Sequence, residues 1–518
     1  MKNIAKIVIL AIAMAFTMQT GFTAQDVWIN DARAAFSKHV LQIYEINLRT
    51  FNASDTNGNG IIDFDDGEES GNFLNAIQRL DGLAQQGINT IDMMPIMAVG
   101  KTKALGTAGS LYAPSSFTDL NPQLGSPKTA LTLESQAIKF INEAHRRKFR
   151  VIVDLPACGS YDIFLKHPEL FVKDKSGQGV IPSDWTDLRL FNSGTETNVN
   201  RDVYNLYKDY VTYVMKLGVD GIKANVATSK PAAFWKDLIA YSRTKDPQFL
   251  WIAEATEDST EPIAPQAIYT PYNKLLEAGF DGYFGSFGHF REVKSAREFM
   301  NYIKFIMSLQ TKYSSPKSVI GSFATHDELS PVLDDNLMYT DLIFWLNAAL
   351  PINSFIVDGV PTGDGFIYFW ANKKATKTFT DDDEYFVHRG KIDIFNFSRM
   401  PGGTSSELIK SFAMANNTKN ALLNIYNAPD FKFKELKTSS PQIFSFAISG
   451  NQNTVIISGN VSNLALKEVS IYIPKYEDKN STIPLKLTSI PISSKGKMTT
   501  QMYPYEIQIM LVEGFEIK

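Results

Sequence analysis

The chain of 518 residues is poor in cysteine, in net charge and in apolar runs long enough to cross a membrane. Because Cys158 is the only cysteine, an intrachain disulfide is impossible. The formal net charge is -4, so the chain lacks the basic field that drives binding to phosphate backbones, and nucleic acid is not an expected partner. These absences favour a neutral ligand.

The N-terminus has the three parts of a secretory signal. Lys2 and Lys6 precede the apolar run IVILAIAMAF, and the more polar MQTGFTAQD follows it. The run is too short for a comfortable membrane span. We therefore expect residues 1–24 to be a signal peptide cleaved after Ala24, and the protein to be secreted, periplasmic or otherwise extracytoplasmic. No transmembrane span is expected unless this segment is retained as an anchor.

The rest of the chain divides into two regions with different patterns. Over residues 25–400, short β-rich runs alternate with helical patterns in seven or eight units, which predicts an α/β fold of the (β/α)8 TIM-barrel type. The irregular stretch 159–200 predicts a short inserted subdomain after strand 3. Residues 405–518 alternate short apolar strands with turn-rich spacers, which is typical of a C-terminal antiparallel β-sandwich domain.

Polar residues follow several of the predicted barrel strands. Each one alone is typical of a turn or a helix cap. The carboxyl ends of barrel strands meet at one face, however, so together these residues predict a single cleft. They are Asp154 in VIVDLP, Lys223 and Asn225 in GIKANVA, Glu254 in WIAEATE, and His326 with Asp327 in FATHDE.

In the order and spacing of these motifs the chain resembles the α-amylase family, glycoside hydrolase family 13. The resemblance covers nearly all of the chain after the signal. It also rests on IYEINLRTF, GSLYAPSSFTDLNPQLGS, EAHRRKFRVIVDLP, HPELFVKD and MYPYEIQIML. It implies a protein of carbohydrate metabolism whose ligand is an α-glucan or malto-oligosaccharide.

The resemblance also implies roles for individual residues. Enzymes of this family use an aspartate nucleophile after the fourth strand, a glutamic acid after the fifth and a third aspartate after the seventh, in a retaining mechanism. Glu254 resembles the acid/base and Asp327 the substrate-orienting aspartate. The expected substrate-binding residues are Tyr112, stacked beneath the sugar, His326, hydrogen-bonded to it, Asp154 and Lys223.

Three positions depart from the family pattern. The nucleophile position holds Asn225, the usual arginine is Lys223, and the usual Asn-His pair is Cys158-Gly159. A carboxamide is a poor nucleophile and carries no charge to stabilise an oxocarbenium ion, so roughly 10⁴ to 10⁶ in kcat is expected to be lost. Asp220 is the nearest carboxylate in sequence, but it precedes the strand and is expected at the opposite end of the barrel.

The stretch SDTNGNGIIDFDDGEE predicts a calcium loop. Asp55, Asn57, Asn59 and Asp63 occupy positions 1, 3, 5 and 9, and the carbonyl of Ile61 occupies position 7. Hard oxygen ligands at this spacing suit Ca²⁺. The metal would pin the loop and take no part in catalysis. A solvated acidic turn is the alternative.

Three functional hypotheses remain open at this point. The first is a secreted protein that recognises α-glucans but hydrolyses them slowly or not at all. Tyr112, Phe117, Trp185 and Phe191 are aromatic residues that either stack on sugar rings or pack the loops. The second is an active α-glucan hydrolase or glucanotransferase that uses Glu254 and Asp327 by an atypical route. The third is a non-catalytic interaction protein.

Overall fold

A computed structural model describes most of the chain after the predicted signal. None of its described helices is long and apolar enough to cross a membrane. Asn59, Ile61 and residues 1–24 lie outside the described residues, and only the backbone is described at 333–336 and 482–486. The described residues are 28–57, 62–183, 185–287, 295–327, 330–365, 394–395, 397, 404–474, 482–486, 492–493 and 495–517.

Eight parallel strands form the central sheet, each paired with its neighbours along the chain, and β1 also pairs with β8. A parallel bridge between Ile320 and Asn353 joins the last two strands and closes the sheet into a barrel. The predicted TIM barrel is confirmed. The strands are β1 (Gln42–Ile46), β2 (Thr90–Met93), β3 (Arg150–Leu155), β4 (Gly221–Ala224), β5 (Leu250–Ala253), β6 (Gly282–Tyr283), β7 (Ser318–Val319) and β8 (Ser354–Val357).

The described helices surround this sheet. Eight of them, α3, α4 and α6–α11, follow the eight barrel strands in turn. They are α1 (Ala32–Ser37), α2 (Leu48–Phe51), α3 (Phe73–Gln85), α4 (Leu133–Arg146), α5 (Tyr161–Lys166), α6 (Arg201–Leu217), α7 (Ala232–Lys245), α8 (Tyr272–Ala278), α9 (Ala296–Lys312), α10 (Val332–Ala349) and α11 (Ser406–Tyr426).

Helix α6 shows how local sequence places a strand-end site. The side chain of Asn200 caps its first turn, and apolar residues recur every three or four positions on the face that is buried. The helix ends at Gly218, whose left-handed φ of 101° lets the chain turn back into β4. Strand β4 therefore carries Lys223 and Asn225 to the carboxyl end of the barrel.

The end of β3 is fixed by donors from neighbouring helices and loops. Tyr210 Oη donates to the carbonyl of Asp154 at 2.7 Å, and Tyr207 Oη donates to the carbonyl of Ala157 at 2.8 Å. The buried ammonium of Lys230 donates to the same Ala157 carbonyl at 2.6 Å. These hydrogen bonds satisfy buried carbonyl groups that would otherwise destabilise the turn into the inserted segment.

The segment 159–200 folds over the mouth of the barrel beside the cleft. Its short strands Gly159–Ser160 and Leu188–Arg189 pair antiparallel, and Phe171 stacks on Phe191 with ring centroids 4.5 Å apart. A Cβ at Gly159 would lie 2.7 Å from Phe191. The packing of this segment therefore favours glycine at position 159.

Two antiparallel sheets form the C-terminal region, which confirms the predicted sandwich. The larger has the order β9-β11-β12-β16-β14 and the smaller β10-β13-β15, and a cluster of buried apolar side chains packs between them. Their strands are β9 (Lys432–Glu435), β10 (Lys437–Thr438), β11 (Ile443–Gly450), β12 (Asn453–Asn460), β13 (Leu466–Tyr472), β14 (Thr482–Lys486), β15 (Lys497–Met502) and β16 (Ile507–Val512).

Candidate functional site

A cavity of about 250 Å³ opens at the carboxyl ends of the barrel strands, where the chemistry of this fold is found. An adjoining cavity of about 270 Å³ shares Val226, Glu254 and Asp327 with it. The first cavity is lined by Ser110, Tyr112, Trp185, Asp187, Leu188, Asn225, Val226, Glu254, His326 and Asp327.

Asn225 and Glu254 are in direct contact. Asn225 Nδ2 donates to Glu254 Oε2 at 2.7 Å, and the backbone N–H of Val226 donates to the same oxygen at 3.3 Å. Val226 has a left-handed φ of 40°, which is strained for a β-branched residue. The strained turn thus holds an amide against the carboxyl group of Glu254.

The carboxyl group of Glu254 has a pKa above its ordinary value. Burial and the neighbouring Asp327 carboxylate raise the pKa of Glu254, while Lys223, His326 and the hydrogen bond from Asn225 oppose the shift. The Asp327 side chain is 46% exposed, and its Oδ1 lies 3.5 Å from His326 Nε2. The site therefore combines a carboxyl group of raised pKa with a partly exposed carboxylate.

Tyr112 and His326 form one wall of the cavity. Their rings stack with centroids 5.5 Å apart and an angle of 16° between the planes. Tyr112 Oη donates to Asp154 Oδ2 at 2.6 Å, and His326 Nδ1 lies 3.0 Å from Glu45 Oε2. Each ring is thus anchored by its own buried carboxylate.

A buried charge cluster lies directly beneath this wall. Lys223 Nζ is 2.5 Å from Glu45 Oε1, 3.0 Å from Asp92 Oδ2 and 3.1 Å from Asp154 Oδ1. Strand register explains the convergence, because Glu45 pairs with Asp92 and Asp154 pairs with Lys223 across neighbouring strands. Asp154 and Lys223 are each 1% exposed and lie behind the cavity wall rather than on it.

The neighbouring charges in this cluster shift one another's pKa values. Burial opposes every charge, yet His326 and Lys223 lower the pKa of Glu45 to about 2. Burial and the neighbouring carboxylates raise the pKa of Asp92 to about 6, and they raise that of Asp154 well above its usual range. The three carboxylates raise the pKa of Lys223 in spite of burial, which favours the charged ammonium.

The same three carboxylates are the only group of three potential metal-ligating acidic, histidine or cysteine side chains among the described residues. Their oxygens lie within 4.8 Å of one another. The Lys223 ammonium already lies within ion-pairing distance of all three. The cation of this cluster is therefore the lysine itself.

The other residues singled out from the sequence lie in different places. Trp185 is partly exposed and lines the cavity, whereas Phe117 and Phe191 are each 2% exposed and pack in the core. Burial raises the pKa of the Cys158 thiol to about 12. Asp220 precedes β4 and contacts Trp28 and His145 away from the cleft.

Sequence reasoning did not single out Glu45, Asp92 and Asp187. Glu45 and Asp92 are acidic residues inside otherwise apolar strands, and that pattern was a usable signal. Asp187 lines the cavity, and burial raises its pKa to about 6. It lies in the inserted segment, where neither periodicity nor a motif pointed to it.

The predicted calcium loop is described in part. Asp55, Asn57 and Asp63 lie within the described residues. The backbone N–H groups of Asn57, Asp63 and Thr56 donate to the Glu68 carboxylate at 3.3, 2.9 and 2.7 Å. The Glu68 carboxylate thus holds together the described parts on either side of 58–61, and carboxylate and amide oxygens are the ligand types that a hard cation takes. Calcium binding here remains a proposal.

Comparison with known proteins gives partial sequence matches and extensive structural ones. No family model matches the chain. An alpha-1,4-glucan:maltose-1-phosphate maltosyltransferase of Bifidobacterium animalis is 28% identical over 207 residues, covering 36% of this chain and 27% of that protein. Neopullulanase 2 of Thermoactinomyces vulgaris is 22% identical over 208 residues, covering 37% of this chain and 33% of that protein. The chain thus spans about a third of the length of the curated relatives it matches.

Solved structures match over almost the whole chain. An alpha-amylase from Lactobacillus plantarum has a TM-score of 0.67 at 16% identity, covering 92% of this chain and 99% of that one. A maltogenic alpha-amylase from Thermotoga neapolitana has a TM-score of 0.65 at 19% identity, with the same coverage. At these identities the structural likeness shows the fold.

The protonation state of His326 can be checked directly. Asp327 and Glu45 raise its pKa to about 10 although burial opposes the charge, so the imidazole is expected to keep both protons from pH 6 to 8. Histidine ¹⁵N shifts measure this. His39 is the control in the same spectrum, since burial lowers its pKa to about 3 and it should stay neutral.

Protonation of His326 also contributes to the stability of the fold. The pKa of His326 in the folded protein lies above the value near 6.5 of the unfolded chain. The stabilisation from its charge is therefore complete below about pH 6.5 and is lost as pH rises through about 10. The stability difference between wild type and His326→Gln should shrink over that range. A His326 signal that titrates near pH 6.5 contradicts the assignment.

Calcium is expected to stabilise the loop that begins at Asp55. Millimolar CaCl₂ should raise the thermal midpoint by about 2 °C or more over a chelated sample, since a ligand that binds only the folded state stabilises it. Asp55→Asn should remove this increment. Asp174→Asn, in an exposed turn of the inserted segment, should keep it. Equal midpoints with and without Ca²⁺ in the wild type would favour the solvated turn.

Proposed function

Because the chain belongs to the α-amylase family, glycoside hydrolase family 13, we propose that it recognises α-glucans and has lost, or retains only weakly, the ability to hydrolyse them. The observation that carries this proposal is the 2.7 Å hydrogen bond from Asn225 Nδ2 to Glu254 Oε2. The position that needs a nucleophile holds the amide of Asn225, and that amide is hydrogen-bonded to the carboxyl group of Glu254.

The geometry supports impaired chemistry in two ways. Retaining glycosidases hold their two carboxyl groups about 5–5.5 Å apart so that the anomeric carbon fits between them. Here Asn225 Nδ2 is hydrogen-bonded to Glu254 Oε2 at 2.7 Å, so the two side chains would have to separate to admit that carbon. The amide also cannot attack carbon or offer negative charge to an oxocarbenium ion. Both steps that depend on the missing aspartate are therefore disabled.

The binding half of the site supports sugar recognition. Tyr112, His326 and Trp185 present ring surfaces to the cavity, and aromatic faces stack on the apolar faces of sugar rings. Asp327 and the protonated imidazole offer an acceptor and a donor for hydroxyl groups. The two adjoining cavities meet at Glu254 and Asp327, which suits consecutive units of a malto-oligosaccharide.

A second candidate is residual hydrolysis or glucanotransfer by an atypical route. It is favoured by the raised pKa of Glu254, since a raised pKa suits a general acid. In that case Asp327 supplies the second carboxyl group that, among the described residues, lines both cavities. The relatives named for maltosyl transfer and pullulan cleavage are consistent with either activity.

Export from the cytoplasm is part of the proposal and rests on residues 1–24 alone. The intact mass of the mature chain measures whether Ala24 is the last residue removed. A mass that retains these residues would favour an N-terminal anchor.

Malto-oligosaccharide binding is the primary expected outcome. Calorimetry should detect binding to the wild type, and Trp185→Ala should weaken it about tenfold or more, equivalent to about 1.4 kcal/mol. Tyr503→Ala is the matched control, because this tyrosine is 58% exposed in the C-terminal domain, away from the cleft. No heat at millimolar ligand would favour the non-catalytic interaction protein instead.

Turnover should respond to restoring the carboxylate. Asn225→Asp is expected to raise starch hydrolysis at least about 10²-fold over the wild type, part of the loss expected for a missing catalytic group. The new carboxylate would also raise the pKa of Glu254 further and favour its acid form. A reducing-sugar assay measures this, with Asn225→Asp/Glu254→Gln as the inactive control. Brisk wild-type turnover that Glu254→Gln abolishes would establish the second candidate.

A further inference from the structure

The wall formed by Tyr112 and His326 depends on carboxylates that do not themselves line the cavity. Tyr112 Oη bonds to Asp154 Oδ2 at 2.6 Å, and His326 Nδ1 lies 3.0 Å from Glu45 Oε2. Glu45 is 0% exposed and Asp154 is 1% exposed. The orientation of both rings is therefore set from beneath, by Glu45 and Asp154.

Both of these carboxylates converge on one ammonium group. Lys223 Nζ is 2.5 Å from Glu45 Oε1 and 3.1 Å from Asp154 Oδ1, and Asp92 Oδ2 completes the group at 3.0 Å. The rings of Phe284 and Phe355 lie on its other sides, with centroids 5.3 and 5.4 Å from Nζ. The ammonium is enclosed by three acids and two aromatic faces.

The charges of the three acids favour an ammonium at the centre of this arrangement. Three carboxyl groups with oxygens within 4.8 Å of one another repel unless a cation or protons compensate them. An ammonium is compact and donates in three directions, whereas a guanidinium is planar and presents a fork. A lysine therefore fits three converging acids better than the arginine of related sequences would.

We propose that Lys223 is the positioning residue of the sugar-binding wall: its ammonium is an internal cation that fixes Tyr112 through Asp154 and His326 through Glu45. The inference rests on the proposed glycan recognition and deepens it. It assigns Lys223 no contact with the ligand, since Lys223 is 1% exposed and does not line the cavity. It also gives Asp92 a role, as the third acid that holds the ammonium in place.

Chemical rescue tests this role. Lys223→Ala should weaken malto-oligosaccharide binding at least tenfold, and millimolar propylammonium, which replaces the deleted atoms and charge, should restore most of it. Propanol matches the shape without the charge and should restore nothing. Rescue by both compounds alike, or wild-type affinity in Lys223→Ala, would overturn the proposal.

A second pair of variants keeps the test decisive if Lys223→Ala does not fold. Lys223→Met preserves much of the side-chain volume without charge, and Lys223→Arg preserves the charge. The expected order of affinity is wild type, then Arg, then Met, with at least tenfold between the first and the last. Equal affinity of folded Lys223→Met and wild type would refute the positioning role.

Lys419 supplies a matched buried control. It is 0% exposed, and its Nζ donates to the carbonyls of Asn347 and Ile352 at 3.1 and 2.7 Å, away from the cleft. Lys419→Met is expected to lower the thermal midpoint while leaving glycan affinity within twofold of the wild type. If Lys419→Met lost as much affinity as Lys223→Met, the loss in Lys223→Met would reflect lowered stability in general, and the proposal would be overturned.

Failure of this inference can be told apart from failure of the proposed function. If the wild type binds no malto-oligosaccharide, glycan recognition fails, and the ligand-free ¹⁵N shifts of His326 then test Lys223. Those shifts should change in Lys223→Met, and in Lys223→Ala they should return toward the wild-type values only with propylammonium. Unchanged shifts in the folded Lys223→Met variant would overturn the positioning role by themselves.

Discussion

The ion cluster around Lys223 is the constraint on which the cleft depends. Three carboxylates from β1, β2 and β3 meet one ammonium from β4 in the centre of the barrel. Removing water from so many charges is costly, and such a cluster persists only when each charge has close partners. The cluster links four adjacent strands to the two rings that line the cavity. The shape of the cleft therefore depends on the charges in the barrel interior.

The proposed function separates sugar binding from bond cleavage, and the same neighbourhood bears on both. The rings of Tyr112 and His326, which are proposed to hold a sugar, are anchored by buried carboxylates. The position proposed to have lost its nucleophile holds Asn225, whose amide contacts Glu254. A neutral donor beside a carboxyl group is stable without any cation, which is consistent with Lys223 turning towards the three buried acids rather than towards position 225.

The barrel and the sandwich could be predicted because their patterns are periodic, and the alternation of strand and helix leaves few architectures. Strand ends pointed to Asn225, Glu254, His326 and Asp327, which all line one cavity. Phe117 and Phe191 were candidates either for stacking on a sugar or for packing the loops, and they pack in the core. The sequence could not decide between the two, because an aromatic residue in an irregular loop gives no sign of the direction it faces. Glu45 and Asp92 were not among the predicted site residues, because the prediction rested on residues that follow the strands and these two lie inside them.

By itself the sequence determined the order of the elements, the identity of the strand-end residues and the amide at position 225, because all of these are local or periodic properties of the chain. Only the tertiary structure decided that Asn225 touches Glu254, that Lys223 faces three acids rather than the cavity, and that Asp187 reaches the cavity. These contacts join residues up to 178 positions apart, as between Lys223 and Glu45, and register and side-chain direction, which fix such contacts, exist only once the barrel has closed.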